Sequence, residues 1–191
     1  GSALQQKLTA TGTARADEAA AQDRAALAAF YAAHVYAPVW VSSSGLNAKA
    51  AAAVAEFAKA DDWGLSAADF PQPAVTTAAG DAPTPGALAD AEIAMSMTAL
   101  KYARHARGGR IVDPATQLSS YLDRKPQLLD AKTVIAELAA APEADAYLRK
   151  LHPQQPEFEK LRQKMLELRA AKPAAEIVTL PPGKILSPGK S

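Results

Sequence analysis

The stretch 89–114, ADAEIAMSMTALKYARHARGGRIVDP, constrains the fold of this chain more than any other. Apolar residues recur there at helical spacing on two adjacent stripes, Ile93, Met97 and Leu100 on one and Met95, Ala99 and Tyr102 on the other. A helix apolar on two stripes is touched by neighbours on both sides, so residues 87–107 are expected to form a central helix. At 1.5 Å per residue it would be roughly 30 Å long. Gly108-Gly109 ends it, with Arg104 and Arg107 in the last turns, where the helix dipole favours cations. Asp113-Pro114 closes the stretch.

The partners for that helix come from an alanine-dense chain. Of 191 residues 49% are hydrophobic but only 6% aromatic, so helices should be thin and closely packed. A globule near this length buries roughly 70% of its unfolded surface, enough for a core without disulfides or metals. Leu27, Phe30, Tyr31 and His34 place a helix over 14–35 with one inward face; Pro38 should end it, and Val39-Trp40 should follow extended. SSSGLN at 42–47 reads as a turn into a helix over 48–61, with Val54 and Phe57 inward. Gly64 should end it in the left-handed conformation, and Ser66 should cap a single turn through Ser-x-x-Asp.

Residues 71–86 are a Pro/Gly-rich loop without a strand pattern. Beyond Pro114 the pattern gives a short helix to about 120, then one over 131–141 capped by Asp130 and carrying Val134, Ile135 and Leu138. A short helix to 151 should have Pro142 in its first position. The last helix, 155–171, has a seam of Phe158, Leu161, Met165 and Leu168, so a buried Leu161 would cost about 2–5 kcal/mol on truncation to alanine. The expected fold is all-α: one helical-bundle-like domain of six to seven helices over 14–172. A flexible segment 1–13 precedes it and a Pro/Gly-rich linker 173–191 follows. Gly1-Ser2 looks like a cloning remnant, so the chain is expected to start in mid-protein.

The net charge of +1 gives no long-range attraction to phosphate backbones or anionic lipid, which argues against a nucleic-acid partner. No run approaches the roughly 20 apolar residues of a membrane span. Without cysteine there is no disulfide, thiolate metal site or cysteine nucleophile, and compartment stays open. His34, His105 and His152 are too scattered for a metal site, and nucleophile elbows, P-loops and dinucleotide fingerprints are absent. No catalytic residue, cofactor or metal is therefore assigned.

Asp17-Glu18 and Asp61-Asp62 read as solvated surface, His34 as a packed or capped core residue, and Trp40 and Trp63 as core anchors rather than sugar-stacking platforms. Lys101, Arg104, Arg107 and Arg110, with His105, form the only basic cluster of interest. Such a ladder suits a carboxylate-bearing partner, including a glycan strand or peptide stem, and Arg104, Arg107 and Arg110 are the candidate contacts. Pairing within the molecule to Asp90, Glu92 or Asp113, plus dipole complementation, is the simpler reading.

Five segments in order carry a family resemblance: Phe30-Tyr31 with Pro38-Val39-Trp40; Trp63-Gly64-Leu65 through Asp69-Phe70; the 89–114 stretch; Leu151-His152-Pro153 through Leu161-Arg162; and Leu180-Pro181-Pro182-Gly183. Together they resemble the α-helical scaffold domain of large multidomain bacterial L,D-transpeptidases, over most of 27–172. Gln155 departs from a common histidine, and Ile111-Val112 lengthens the step from Arg110 to Asp113 by a residue. The family's catalytic histidine and Ser-x-Gly-Cys-x-Arg motif have no counterpart here, so no catalytic role carries over. The resemblance implies a non-catalytic scaffold of a periplasmic enzyme that cross-links peptidoglycan. Its implied partners are the catalytic and peptidoglycan-binding domains of the same polypeptide, and peptidoglycan itself. The alternatives are a stand-alone glycan- or stem-peptide-binding module using Arg104, Arg107 and Arg110 with a tryptophan, or a helical adaptor for another wall-synthesis protein.

Overall fold

A computed structural model describes residues 2–10, 18–75, 82–111 and 113–171. Among them are eight α-helices: α1 (Ser2–Thr9), α2 (Glu18–Ala33), α3 (Ala48–Phe57), α4 (Pro85–Ala106), α5 (Pro114–Gln117), α6 (Ala131–Ala140), α7 (Ala144–Lys150) and α8 (Pro156–Ala170). The mostly helical single-domain reading holds. The start of the chain departs from it, because the segment expected to be flexible carries α1. Leu4 and Leu8, one helical turn apart, are both buried there. The linker 173–191, residues 11–17 and 76–81, and Val112 lie outside the described residues.

The helix α4 is central, touching α1, α2, α3 and α6. Thr84 caps it by accepting from the Ala87 N–H, and Pro85 sits in the first turn, where a missing N–H costs nothing. The expected stripe of Met95, Ala99 and Tyr102 is fully buried, but of the other only Leu100 is. Ile93 and Met97 are only half-buried, while Ala89, Glu92, Ser96, Ala99 and Ala103 line up inward. Small residues there let α2 and α3 approach closely, and the remaining core comes from Leu27, Tyr31, Trp40, Phe57, Met95, Tyr102, Ile135, Leu138 and Leu148.

Three ends of elements close with paired hydrogen bonds that need a left-handed residue. At the end of α4, Gly109 N–H donates to the Arg104 carbonyl and Gly108 N–H to that of His105, with Gly108 at φ 86°. Gly64, at φ 76°, does the same after the 3-10 turn Ala60–Trp63. At the end of α2 the left-handed position is filled by Val35, at φ 53°, followed by Tyr36 at φ 54°. Pro38 was expected to end this helix. The chain has already reversed at Ala33, through this pair.

Smaller corrections follow the same physics. Residues 41–46 form a two-stranded hairpin, Val41–Ser42 with Gly45–Leu46, within the expected turn. Ser66 makes no side-chain cap; Asp61 Oδ1 accepts from the Ala67 N–H in its place. Pro142 lies before α7, whose N-cap is Glu143. The α8 seam is not buried: Leu161 is 71% and Leu168 64% exposed, and only Phe158, Arg162, Met165 and Leu166 are partly covered.

Candidate functional site

Polar side chains converge at two buried nodes and one open groove. The first node is built on α4. Glu92 is fully buried, yet its carboxylate accepts four hydrogen bonds: Tyr31 hydroxyl at 2.5 Å, Val39 N–H at 2.6 Å, Trp40 N–H at 2.9 Å and Val41 N–H at 3.1 Å. Ser96, one turn later, shares its hydroxyl with Tyr31 and receives the Trp40 indole N–H at 2.9 Å. Burial pushes the Glu92 carboxyl upward, and the hydrogen bonds it accepts oppose that. Tyr31 is pushed up by burial and by the adjacent Glu92 charge, so it stays a donor. Every acceptor direction on Glu92 is aimed at a donor of this chain, which makes it a pin for the Val39–Val41 backbone.

The second node holds α7 and α8 against α3 and α4. Glu56, fully buried on α3, accepts from the Trp63 indole at 3.1 Å and from Arg149 at 2.9 Å, and Arg149 also reaches Asp145. Trp63 stacks on His152 at 4.3 Å with an 11° interplanar angle, and His152 Nε2 lies 2.8 Å from the Tyr102 hydroxyl. Arg162, clamped by Glu159, covers the other face of Trp63 at 4.7 Å. Burial, helped by Arg162, lowers the His152 pKa to about 4, so the ring is neutral near pH 7. Trp40 anchors the core as expected; Trp63 is a half-buried slab between a cation and an imidazole. His34 sits exposed at the end of α2, on the Phe30 ring and against its carbonyl, rather than in the core.

The groove, of about 1260 Å³, lies between α2, α4 and the start of α6. Its floor is largely alanine methyls, and Lys101, Arg104, His105 and Arg110 enter it from α4 and the turn after. The arginines expected to act as a ladder are divided. Arg104 pairs with buried Asp23 at 2.5 Å, a partner 81 residues away rather than Asp90, Glu92 or Asp113. Arg107 donates to the Gln127 carbonyl and does not line the groove. Arg110 is exposed and makes no hydrogen bond or ion pair among the described residues. Gly109 permits this junction, since a Cβ there would lie 2.5 Å from Arg104 Cγ, 2.9 Å from its carbonyl and 2.7 Å from Leu128 Cδ2.

Sequence reasoning missed both nodes. The signal was present: Glu92 and Ser96 fall four apart on the inward stripe of a central helix, where a carboxylate survives only with donors waiting for it. At the first node the Glu92 carboxylate is filled by four fixed donors of this chain, and at the second Glu56 holds the Trp63 indole and the Arg149 guanidinium. Four of the five segments carrying the resemblance contribute residues here, Tyr31 and Trp40 with α4, and Trp63 with His152 and Arg162; the fifth, 180–183, lies outside the described residues. Among the described residues no group of acidic, histidine or cysteine side chains is arranged to hold a metal ion, and no helix is long and apolar enough to cross a membrane. No curated protein and no solved structure matches the chain significantly. A family model described as Scaffold domain matches residues 25–165.

Proposed function

The chain belongs to the Scaffold domain family, a domain found in L,D-transpeptidases, and from that premise we propose that it is the non-catalytic scaffold of a periplasmic L,D-transpeptidase that cross-links peptidoglycan. The observation that carries this reading is where the family-like segments go. Four of the five, those among the described residues, contribute to nodes that tie α2, α3, α4, α7 and α8 together. Such a body holds other domains of the same polypeptide in place, and the cysteine chemistry belongs to a domain outside this chain. The sequence holds no cysteine with which to perform it.

The test is reconstitution in trans. The purified chain and the catalytic portion of its parent should sediment as one complex, and muropeptide cross-linking should be faster with the chain present than without it. Independent sedimentation together with unchanged cross-linking would end the reading, as would muropeptide turnover by the chain alone. The groove beside Arg110 favours a second reading, direct contact with the wall. Retention on purified sacculi, lost in Arg107→Ala/Arg110→Ala, would support it.

A further inference from the structure

Large apolar side chains left in water gather on one segment of this chain. Of the eight that are exposed among the described residues, five fall between Leu118 and Leu129: Leu118, Tyr121, Leu122, Leu128 and Leu129, with Tyr121 92% exposed. The other three are split between the turn after α2 and the outer side of α8. Single apolar residues on a surface need no explanation, but a gathering of them marks a contact.

The segment is also held in an unusual way. Over 118–130 it runs without helix or strand between α5 and α6, long for a connection inside a domain. Among the described residues no backbone N–H from Asp123 to Leu129 donates a hydrogen bond. Its position is set from the turn after α4: Arg107 donates to the Gln127 carbonyl, and Pro126 and Leu128 lie against Gly108 and Gly109. The bundle presents this segment to the outside and does not fold it in.

Charge gives the chemistry of the partner. The side chains of Arg110, Arg124 and Lys125 are exposed and make no hydrogen bond or ion pair among the described residues. Of the three carboxylates over 107–130, Asp113 accepts from the Thr116 hydroxyl and Asp130 caps α6, which leaves Asp123. Three cations against one carboxylate repel a second copy of the same face, and four of the five apolar side chains are leucines, not rings that stack on sugars. An apolar protein face rimmed by aspartate and glutamate fits both features.

We propose that residues 118–129 are the surface on which another folded domain of the same polypeptide docks, bringing an apolar face with an acidic rim. The inference rests on the scaffold role and adds which face makes the contact.

The test is zero-length carbodiimide coupling in the full-length parent, read by mass spectrometry. Lys125 should be joined to an aspartate or glutamate of the same molecule outside residues 1–191. Tyr121→Ser/Leu122→Ser, at exposed positions, should lower that yield about tenfold or more. Coupling of Lys7 to Asp90, 2.7 Å apart, should not change. Coupling of Lys125 only within residues 1–191, or only between copies in a mixture of isotope-labelled and unlabelled parent, would overturn the proposal. A yield that the double substitution leaves unchanged would do the same. So would co-sedimentation of the parent with phosphatidylglycerol vesicles that the double substitution abolishes, since the segment would then serve a membrane. Failed coupling with an intact complex between the chain and the catalytic portion moves the contact to another face, whereas absence of any complex ends the scaffold role itself.

Discussion

The central helix and the last helix of the bundle are held in place by opposite means. Around α4 a charged group is buried and every acceptor it has is filled by backbone and side-chain donors from sequence-distant segments. At α8 nothing is buried, and attachment rests on one arginine over a tryptophan, Met165 beside Gly64, and Arg169 against the Asp61 carbonyl. Removing water from a carboxylate costs several kcal/mol, so the first arrangement exists only if all its parts are in place. The second can be lost one contact at a time, because exposed pairs contribute 0–1 kcal/mol each.

The comparison breaks hardest at Glu92. Glu92→Ala should destabilise the chain by about 4 kcal/mol or more in urea unfolding, since three backbone N–H groups and a tyrosine hydroxyl lose their acceptor. A loss under about 1 kcal/mol would show that the pin is dispensable. Next comes His152, where the second node meets the core. Its folded-state pKa, about 4 against an ordinary 6.5, means that the folded state resists protonation. Its contribution to stability is complete above pH 6.5 and is lost as pH falls towards 4. The pH dependence of stability in that window should flatten in His152→Gln, and identical profiles for the two proteins would refute the assignment.

Smaller effects sharpen the contrast. Gly109→Ala forces Arg104 and Leu128 apart and should cost about 1–3 kcal/mol by thermal unfolding. Val35→Gly should instead stabilise by about 1 kcal/mol, because an 85% exposed valine surrenders little burial and glycine carries no left-handed penalty. A lower melting temperature would show that the Val35 side chain has a role in the folded state. Leu161→Ala on α8 should fall within about 0.5 kcal/mol of wild type, in place of the 2–5 expected for a buried seam. A larger loss would mean that the seam is covered.

Legibility tracked the range of the interaction. The Asp130 cap, the left-handed Gly64, the helix stop at Gly108-Gly109, and the inward Val134, Ile135 and Leu138 are decided within a few residues, and the sequence disclosed them. The candidate site was half legible. The basic cluster stood out, but its division into a paired Arg104, a tethered Arg107 and an Arg110 without a partner among the described residues depends on Asp23 and Gln127. The α8 seam misled because periodicity reports that an apolar face exists, not that anything lies across it.

The sequence alone determined that the chain is an alanine-dense helical body with no thiol to react, since helix propensity and stop signals act locally and composition is fixed by the chain. Tertiary structure alone decided which polar groups are buried and which stay free. A carboxylate such as Glu92 becomes a pin or a liability according to donors from 51 to 61 residues away, and no local pattern encodes that meeting.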